Sequence, residues 1–126
     1  MVLGANLELA PGDPAEIRDR MEDLARRRRE KQPLEYPSAG STFKRPVGKF
    51  AAALIESCGL KGYTIGGAQV SEKHAGFLVN RGGAVCADLI RLIRTVRETV
   101  LRETGTALEL EVKTLGIPAN ELELEN

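Results

Sequence analysis

The side chains most able to do chemistry crowd into one short stretch. Residues 37–46 read Pro-Ser-Ala-Gly-Ser-Thr-Phe-Lys-Arg-Pro. Small residues around hydroxyls and a lysine let backbone amides approach an anionic ligand. The stretch is no phosphate loop, because a GK[ST] ending is absent and no helix pattern follows directly. Read alone, it is a turn. Two more glycine-rich stretches, Gly59-Leu60-Lys61-Gly62 and Gly66-Gly67, lack the GxGxxG spacing and the flanking βαβ pattern of a dinucleotide site.

His74 is the only histidine. No HExxH and no Cys or acidic cluster at ligand spacing accompanies it, which argues against zinc. Ser41, His74 and Glu111 have the residue types of a nucleophilic triad, but no GxSxG elbow presents the serine. A lone histidine beside a strand is more often a hydrogen-bonded structural residue. Glu111 reads equally as a solvated carboxylate on the polar side of a strand. The residues alone therefore reach a polar cleft and stop there. Cys58 and Cys86 form no CxxC pair and read as reduced thiols. Arg26 to Arg29 followed by Lys31 reads as a phosphate patch or as the solvated basic end of a helix. The second is favoured, because Glu22 and Asp23 precede Arg26 and Arg27 at four-residue spacing near the helix's negative pole.

The elements that must position these residues fall into two pieces, 1–35 and 36–126. Leu3, Ala5, Leu7 and Leu9 alternate as in a half-buried strand. Asp13, Pro14 and Glu16 open a helix, with Ile17, Met21 and Leu24 on one face, and it must stop before Pro33. One strand and one helix cannot close a core, so this piece reads as the last βα unit of a domain lying elsewhere. In the second piece a helix runs from about Gly48 to Gly59, and Tyr63–Val70 is a strand with a bulge at Gly66-Gly67. Phe77–Asn80 is a short strand, and Arg81-Gly82-Gly83 turns the chain. Leu89, Ile93, Val96 and Val100 mark a long helix ending at Gly105. Leu108, Leu110 and Val112 alternate with charged residues as a last strand. The order αββαβ indicates an α+β fold, a small sheet packed with helices. The tail from Ile117 is acidic and expected to fray.

The chain has 126 residues, with 18 Lys plus Arg against 18 Asp plus Glu. A neutral balance and 4% aromatics argue against a nucleic-acid binder or a polybasic membrane-surface protein. The N-terminus lacks a basic n-region, so it does not read as a targeting peptide. The apolar run Phe50–Ile55 is far too short to span a bilayer.

Residues 37–46 resemble the PSAGSxFK(N/R)P segment of UDP-N-acetylenolpyruvoylglucosamine reductases. Three further blocks follow in the family's order. The first joins Gly59-Leu60-Lys61-Gly62 with residues 65–71, and the others are residues 73–80 and residues 108–113 before Leu115-Gly116. The compact connection from Pro46 to Leu54 resembles the family's second type.

The resemblance implies a flavoenzyme of bacterial cell-wall precursor synthesis, an oxidoreductase of the cytoplasm. In it NADPH reduces FAD, and the enolpyruvyl group of UDP-N-acetylglucosamine enolpyruvate is reduced to give UDP-N-acetylmuramate. By position Ser41 matches the family's proton donor and Glu111 its catalytic carboxyl group. Lys44, Arg45 and His74 match positions of substrate recognition, with Arg45 where asparagine is commoner. The chain shows no counterpart of the family's FAD-binding segments or of its upstream Tyr–Arg motif. The expectation is therefore a substrate-binding domain (36–126) preceded by the closing strand and helix of a flavin domain (1–35), inactive by itself. Two rivals stand beside it: a non-catalytic UDP-sugar-binding or regulatory module, and a half-enzyme working in trans with a separate FAD domain.

Overall fold

The computed structural model describes residues 2–118 and 121–122. The chain forms two compact units, Met1–Glu30 and Lys31–Asn126.

The first unit is built on helix α1 (Pro14–Lys31), which carries the chain across the boundary. Asp13 caps it: its Oδ1 accepts the N–H groups of Ala15 and Glu16 at 2.8 and 3.0 Å. Asp23 pairs with Arg26 and, at 2.7 Å, with Arg27, while Arg26 reaches Glu30 at 2.9 Å. The arginine run is thus a solvated helix face. Residues 2–13 form no strand, contrary to the expectation from the Leu3–Leu9 alternation. A strand exists through its hydrogen-bonded neighbour, and this unit offers none.

The second unit is α+β, as expected. A four-stranded antiparallel sheet takes the order β1 (Ser38–Ser41), β4 (Phe77–Asn80), β3 (Ala68–Val70), β2 (Thr64–Ile65). Helix α3 (Cys86–Thr104) packs on β2 and β3, and helix α2 (Ala51–Ser57) packs against α3. Leu92, Val96 and Val100 recur at four-residue spacing on α3 and are fully buried, closing a core with Ile55, Val70 and Leu108. Gly105 ends α3, and its N–H returns to the Leu101 carbonyl at 2.9 Å.

The element order differs from αββαβ in three places. Tyr63–Val70 is a two-strand hairpin, because Gly66-Gly67 supplies a two-residue turn where a bulge was expected. Gly67 also lies so close to the next loop that a Cβ there would sit 2.4 Å from Ala84 N and Gly82 O. Ser38–Ser41, expected to turn, is a strand paired to β4. The segment expected as the last strand contributes one isolated bridge, Phe43 to Leu110, although its alternation holds: Leu108 is buried and Glu109 and Glu111 are exposed.

The C-terminal segment does not fray where it is described. Ile117 packs on the core, Leu122 is buried, and Arg97 donates to the carbonyls of Leu108 (2.9 Å) and Leu122. The expectation for residues 119–120 and 123–126 lies outside the described residues.

Candidate functional site

A β-bulge sets the position of Ser41. Ser38 pairs with Val79 and Ser41 with Phe77, so strand β1 spends three steps where β4 spends two. Gly40, at φ +85°, takes up the extra residue. The register therefore shifts by one, and Ser41 rather than Gly40 stands opposite Phe77.

Thr42 then ties the serine to two other segments. It is buried; its N–H donates to the Gly76 carbonyl at 2.9 Å and its Oγ1 accepts the Leu78 N–H at 3.2 Å. Its carbonyl accepts the Glu111 N–H at 2.9 Å. Lys44 N–H donates to the Glu109 carbonyl at 2.8 Å, so the two extended segments run side by side. Ser41 and Glu111 are thus held by one buried threonine that the sequence pattern gave no reason to single out.

His74 comes from the β3–β4 loop. Its backbone N–H donates to Ser71 Oγ at 3.2 Å, and its Nδ1 accepts the Gly76 N–H at 3.1 Å. An accepting Nδ1 leaves the neutral ring's proton on Nε2, the assignment this hydrogen bond implies. The ring meets Phe77 edge-on with centroids 4.9 Å apart.

These segments enclose one open pocket of about 360 Å3, lined among others by Ser41, Lys44, Arg45, His74 and Glu111. All five residues singled out from the sequence meet there. Phe43, Phe50, Ala51, Ala52 and Gly76 complete the wall. Phe50 was missed because its place in the apolar run Phe50–Ile55 reads as a core position, whereas it stands exposed at the pocket wall. The Pro46-Val47-Gly48-Lys49 turn was the signal that could have revealed it. No hydrogen bond among the described residues joins Ser41 to His74, so the triad alternative has no nucleophile–base contact.

Charge on the rim is unevenly committed. Lys44 Nζ donates to Glu109 Oε2 at 2.9 Å. That contact raises the Lys44 pKa above its ordinary value and lowers that of Glu109. Arg45 lies over the Phe50 ring, its Cζ 3.9 Å from the centroid.

A second groove of about 350 Å3, lined by Leu78, Leu89, Ile93 and Leu115 among others, is mostly apolar and holds none of these five. The other glycine-rich stretches are structural. Gly59 follows α2, and Gly66-Gly67 is the hairpin turn.

Neither long helix offers an open N-terminus to the pyrophosphate of FAD. A helix N-terminus open to anions is one place where a dinucleotide's pyrophosphate can sit. The loop Arg81-Gly82-Gly83 does lead into α3, but the Asp88 carboxylate fills that N-terminus. It accepts the N–H groups of Val85 at 3.2 Å and Gly67 at 3.3 Å. At the start of α1 the Asp13 carboxylate does the same. Among the described residues there is no helix long and apolar enough to cross a membrane, and no cluster of metal-ligating side chains.

Residues 32–115 match the family model described as UDP-N-acetylenolpyruvoylglucosamine reductase, C-terminal domain. The chain is 57% identical over 116 residues to the UDP-N-acetylenolpyruvoylglucosamine reductase of Agathobacter rectalis, covering 92% of this chain and 37% of that protein. It is 53% identical over 116 residues to the reductase of the same name from Pediococcus pentosaceus, covering 92% and 39%. The crystal structure of UDP-N-acetylenolpyruvylglucosamine reductase from Thermus caldophilus matches with a TM-score of 0.68 and 37% identity, over 84% of this chain and 37% of that one. The chain thus spans a little over a third of the length of these relatives. With the fold and the matched segments in agreement, the chain belongs to the family of UDP-N-acetylenolpyruvoylglucosamine reductases, as their C-terminal domain.

Proposed function

We propose that residues 36–126 form the substrate-binding domain of a UDP-N-acetylenolpyruvoylglucosamine reductase and that the pocket lined by Ser41, Lys44, Arg45, His74 and Glu111 takes the enolpyruvyl UDP-sugar. One observation carries the reading: five residues scattered from position 41 to position 111 line a single opening.

The overall change is addition of a hydride to the terminal vinyl carbon and a proton to its neighbour. The hydride source, FAD reduced by NADPH, belongs in this reading to the part of the relatives' length that this chain does not cover. The chain's own work is binding and proton supply. Ser41 gives its hydroxyl proton to the carbon next to the carboxylate. A serine hydroxyl is a weak acid, but a carbanion-like enolate is a strong base, so the transfer is matched. Glu111, on the segment hydrogen-bonded to Thr42 beside Ser41, carries a proton back to the serine or stabilises the enolic form of the substrate. Lys44 and Arg45 meet the anionic groups of the ligand, and His74 donates through Nε2–H. Residues 1–35 close the flavin-bearing part, and the exposed apolar face of α1 supports a covering surface there. Its substrate, a nucleotide sugar, puts the reaction in the bacterial cytoplasm.

Calorimetric titration of the chain with UDP-N-acetylglucosamine enolpyruvate tests the pocket. Binding that Lys44→Ala and His74→Ala each weaken is the expected result, and Ser41→Ala should leave affinity nearly intact because its role lies in proton transfer. With FAD, NADPH and substrate added, the chain alone should consume no more NADPH than its Ser41→Ala variant. Absence of binding, or equal affinity in every variant, overturns the reading.

A further inference from the structure

Phe50 is a large aromatic side chain that takes no part in the core. It is 58% exposed and stands at the wall of the pocket. A single exposed apolar side chain is ordinary on a protein surface; what sets Phe50 apart is that its ring stands at the pocket wall under the Arg45 guanidinium. The backbone shows how it arrives. Lys49 N–H donates to the Pro46 carbonyl at 3.2 Å, closing a turn with Gly48 at φ +70°. Lys49 Nζ then anchors the turn on Thr106 Oγ1 at 2.8 Å. The turn reverses the chain, and Phe50 comes back over Arg45 at 3.9 Å.

The two cations on this rim differ. Lys44 is engaged with Glu109. Arg45 has no carboxylate partner among the described residues; its contact is the aromatic face. A guanidinium whose contact is a ring face spends none of its N–H donors on a carboxylate and leaves them for an oxyanion. Holding it there in advance removes part of the ordering cost that a long side chain otherwise adds on binding.

We infer that Phe50 is a positioning residue, whose ring holds the Arg45 guanidinium as a ready receptor for an oxyanion of the ligand, diphosphate or carboxylate. The inference rests on the reading of this pocket as the UDP-sugar site. Phe50 acts through Arg45, so its contribution exists only while Arg45 is present.

The test is a double-mutant cycle on the full chain, read by calorimetry with two probes. UDP-N-acetylglucosamine offers the diphosphate alone; UDP-N-acetylglucosamine enolpyruvate offers the diphosphate and the carboxylate. Phe50→Leu should weaken binding about three- to fivefold, the scale of an exposed cation–π contact. Arg45→Gln should weaken it by about tenfold, as loss of a charge-assisted pair does. The double variant should bind no worse than Arg45→Gln alone, and Phe50→Tyr, which keeps the ring face, should bind like the unmodified chain. Amide spectra of each variant confirm the fold, and the ring-current shift of the Arg45 side-chain protons should vanish in Phe50→Leu. Coupling with both probes assigns Arg45 to the diphosphate, and coupling with the enolpyruvyl probe alone assigns it to the carboxylate. Binding that Phe50→Leu leaves unchanged, or weakens equally with and without Arg45, overturns the inference while leaving the pocket reading intact. No binding of either probe by the unmodified chain overturns both.

Discussion

Helices α1 and α3 have nearly the same length, 18 and 19 residues, and both carry an apolar stripe at helical spacing. Their fates differ. On α3 five residues are buried, with Leu92, Val96 and Val100 at zero exposure, whereas on α1 none is. Ile17, Met21 and Leu24 remain about half exposed or more. The apolar pattern alone therefore does not bury a helix. A sheet of opposite face must be present, and the second unit supplies one in β2 and β3 while the first supplies none. The pocket sits entirely on the self-sufficient unit, so its geometry depends on residues this chain contains.

The largest effect expected from that difference comes from paired truncations. Leu92→Ala should cost about 2–5 kcal/mol, the range for a fully buried leucine. Met21→Ala should shift stability by no more than about 0.5 kcal/mol, as at a surface site. Urea unfolding followed by near-ultraviolet and amide signals of the second unit checks both. Equal losses would erase the contrast between the helices.

Thr42→Val sharpens the same contrast at the site. It keeps shape but strands the buried Leu78 N–H, at a cost of about 1–3 kcal/mol. It should also loosen the link between Ser41 and Glu111, seen as faster amide exchange at Leu78 and Glu111. Unchanged exchange would mean that the threonine does not hold them.

Cap removal comes next. Because α1 lacks packing, its helicity depends on local bonds, and Asp13→Ala should weaken it by about 1 kcal/mol. Circular dichroism should show a partial loss of helix with the second unit's unfolding midpoint unmoved. A matching drop in that midpoint would show the two units to be energetically coupled.

How much of this was legible in the residues follows the same line. The long helix, its glycine stop and the Asp13 cap could be read because each depends on neighbours in sequence. The five pocket residues were named, but through resemblance; the residues alone left Ser41 in a turn and Glu111 in solvent. The bulge at Gly40 and the role of Thr42 depend on pairing with β4 and with the segment of Glu111, contacts made by residues more than thirty positions away. Local pattern carries no record of those. The Leu3–Leu9 alternation misled for the converse reason, since a strand exists only with a hydrogen-bonded neighbour and the described residues of this unit hold none.

The smallest effect is electrostatic. Each unit has a surface carboxylate, half-buried at Asp23 and exposed at Glu109, held below its ordinary range by a cation, Asp23 by Arg26 first and then Arg27, and Glu109 by Lys44. A depressed acid contributes stability above its unfolded pKa and loses it as pH falls through its folded value. Lys44, whose pKa is raised by Glu109, contributes below its unfolded pKa and loses that as pH rises through its folded value. The Lys44–Glu109 contribution is thus present at neutral pH and fades at both ends; exposure and salt keep it small. Carboxyl-carbon titration by NMR should find both acids below the normal range, with Lys44→Met restoring Glu109 alone. A normal Glu109 in the unmodified chain would mean that the pair does not form in solution.

The most direct test of the central claim, that one pocket on the second unit is the ligand site, is an amide-shift map recorded during titration with UDP-N-acetylglucosamine enolpyruvate. The account predicts the largest shifts at Ser41, Lys44, Arg45, Ala51, Gly76 and Glu111, with residues 2–30 silent. Shifts centred instead on the apolar groove at Leu89, Ile93 and Leu115, or no shifts at saturating ligand, would contradict it.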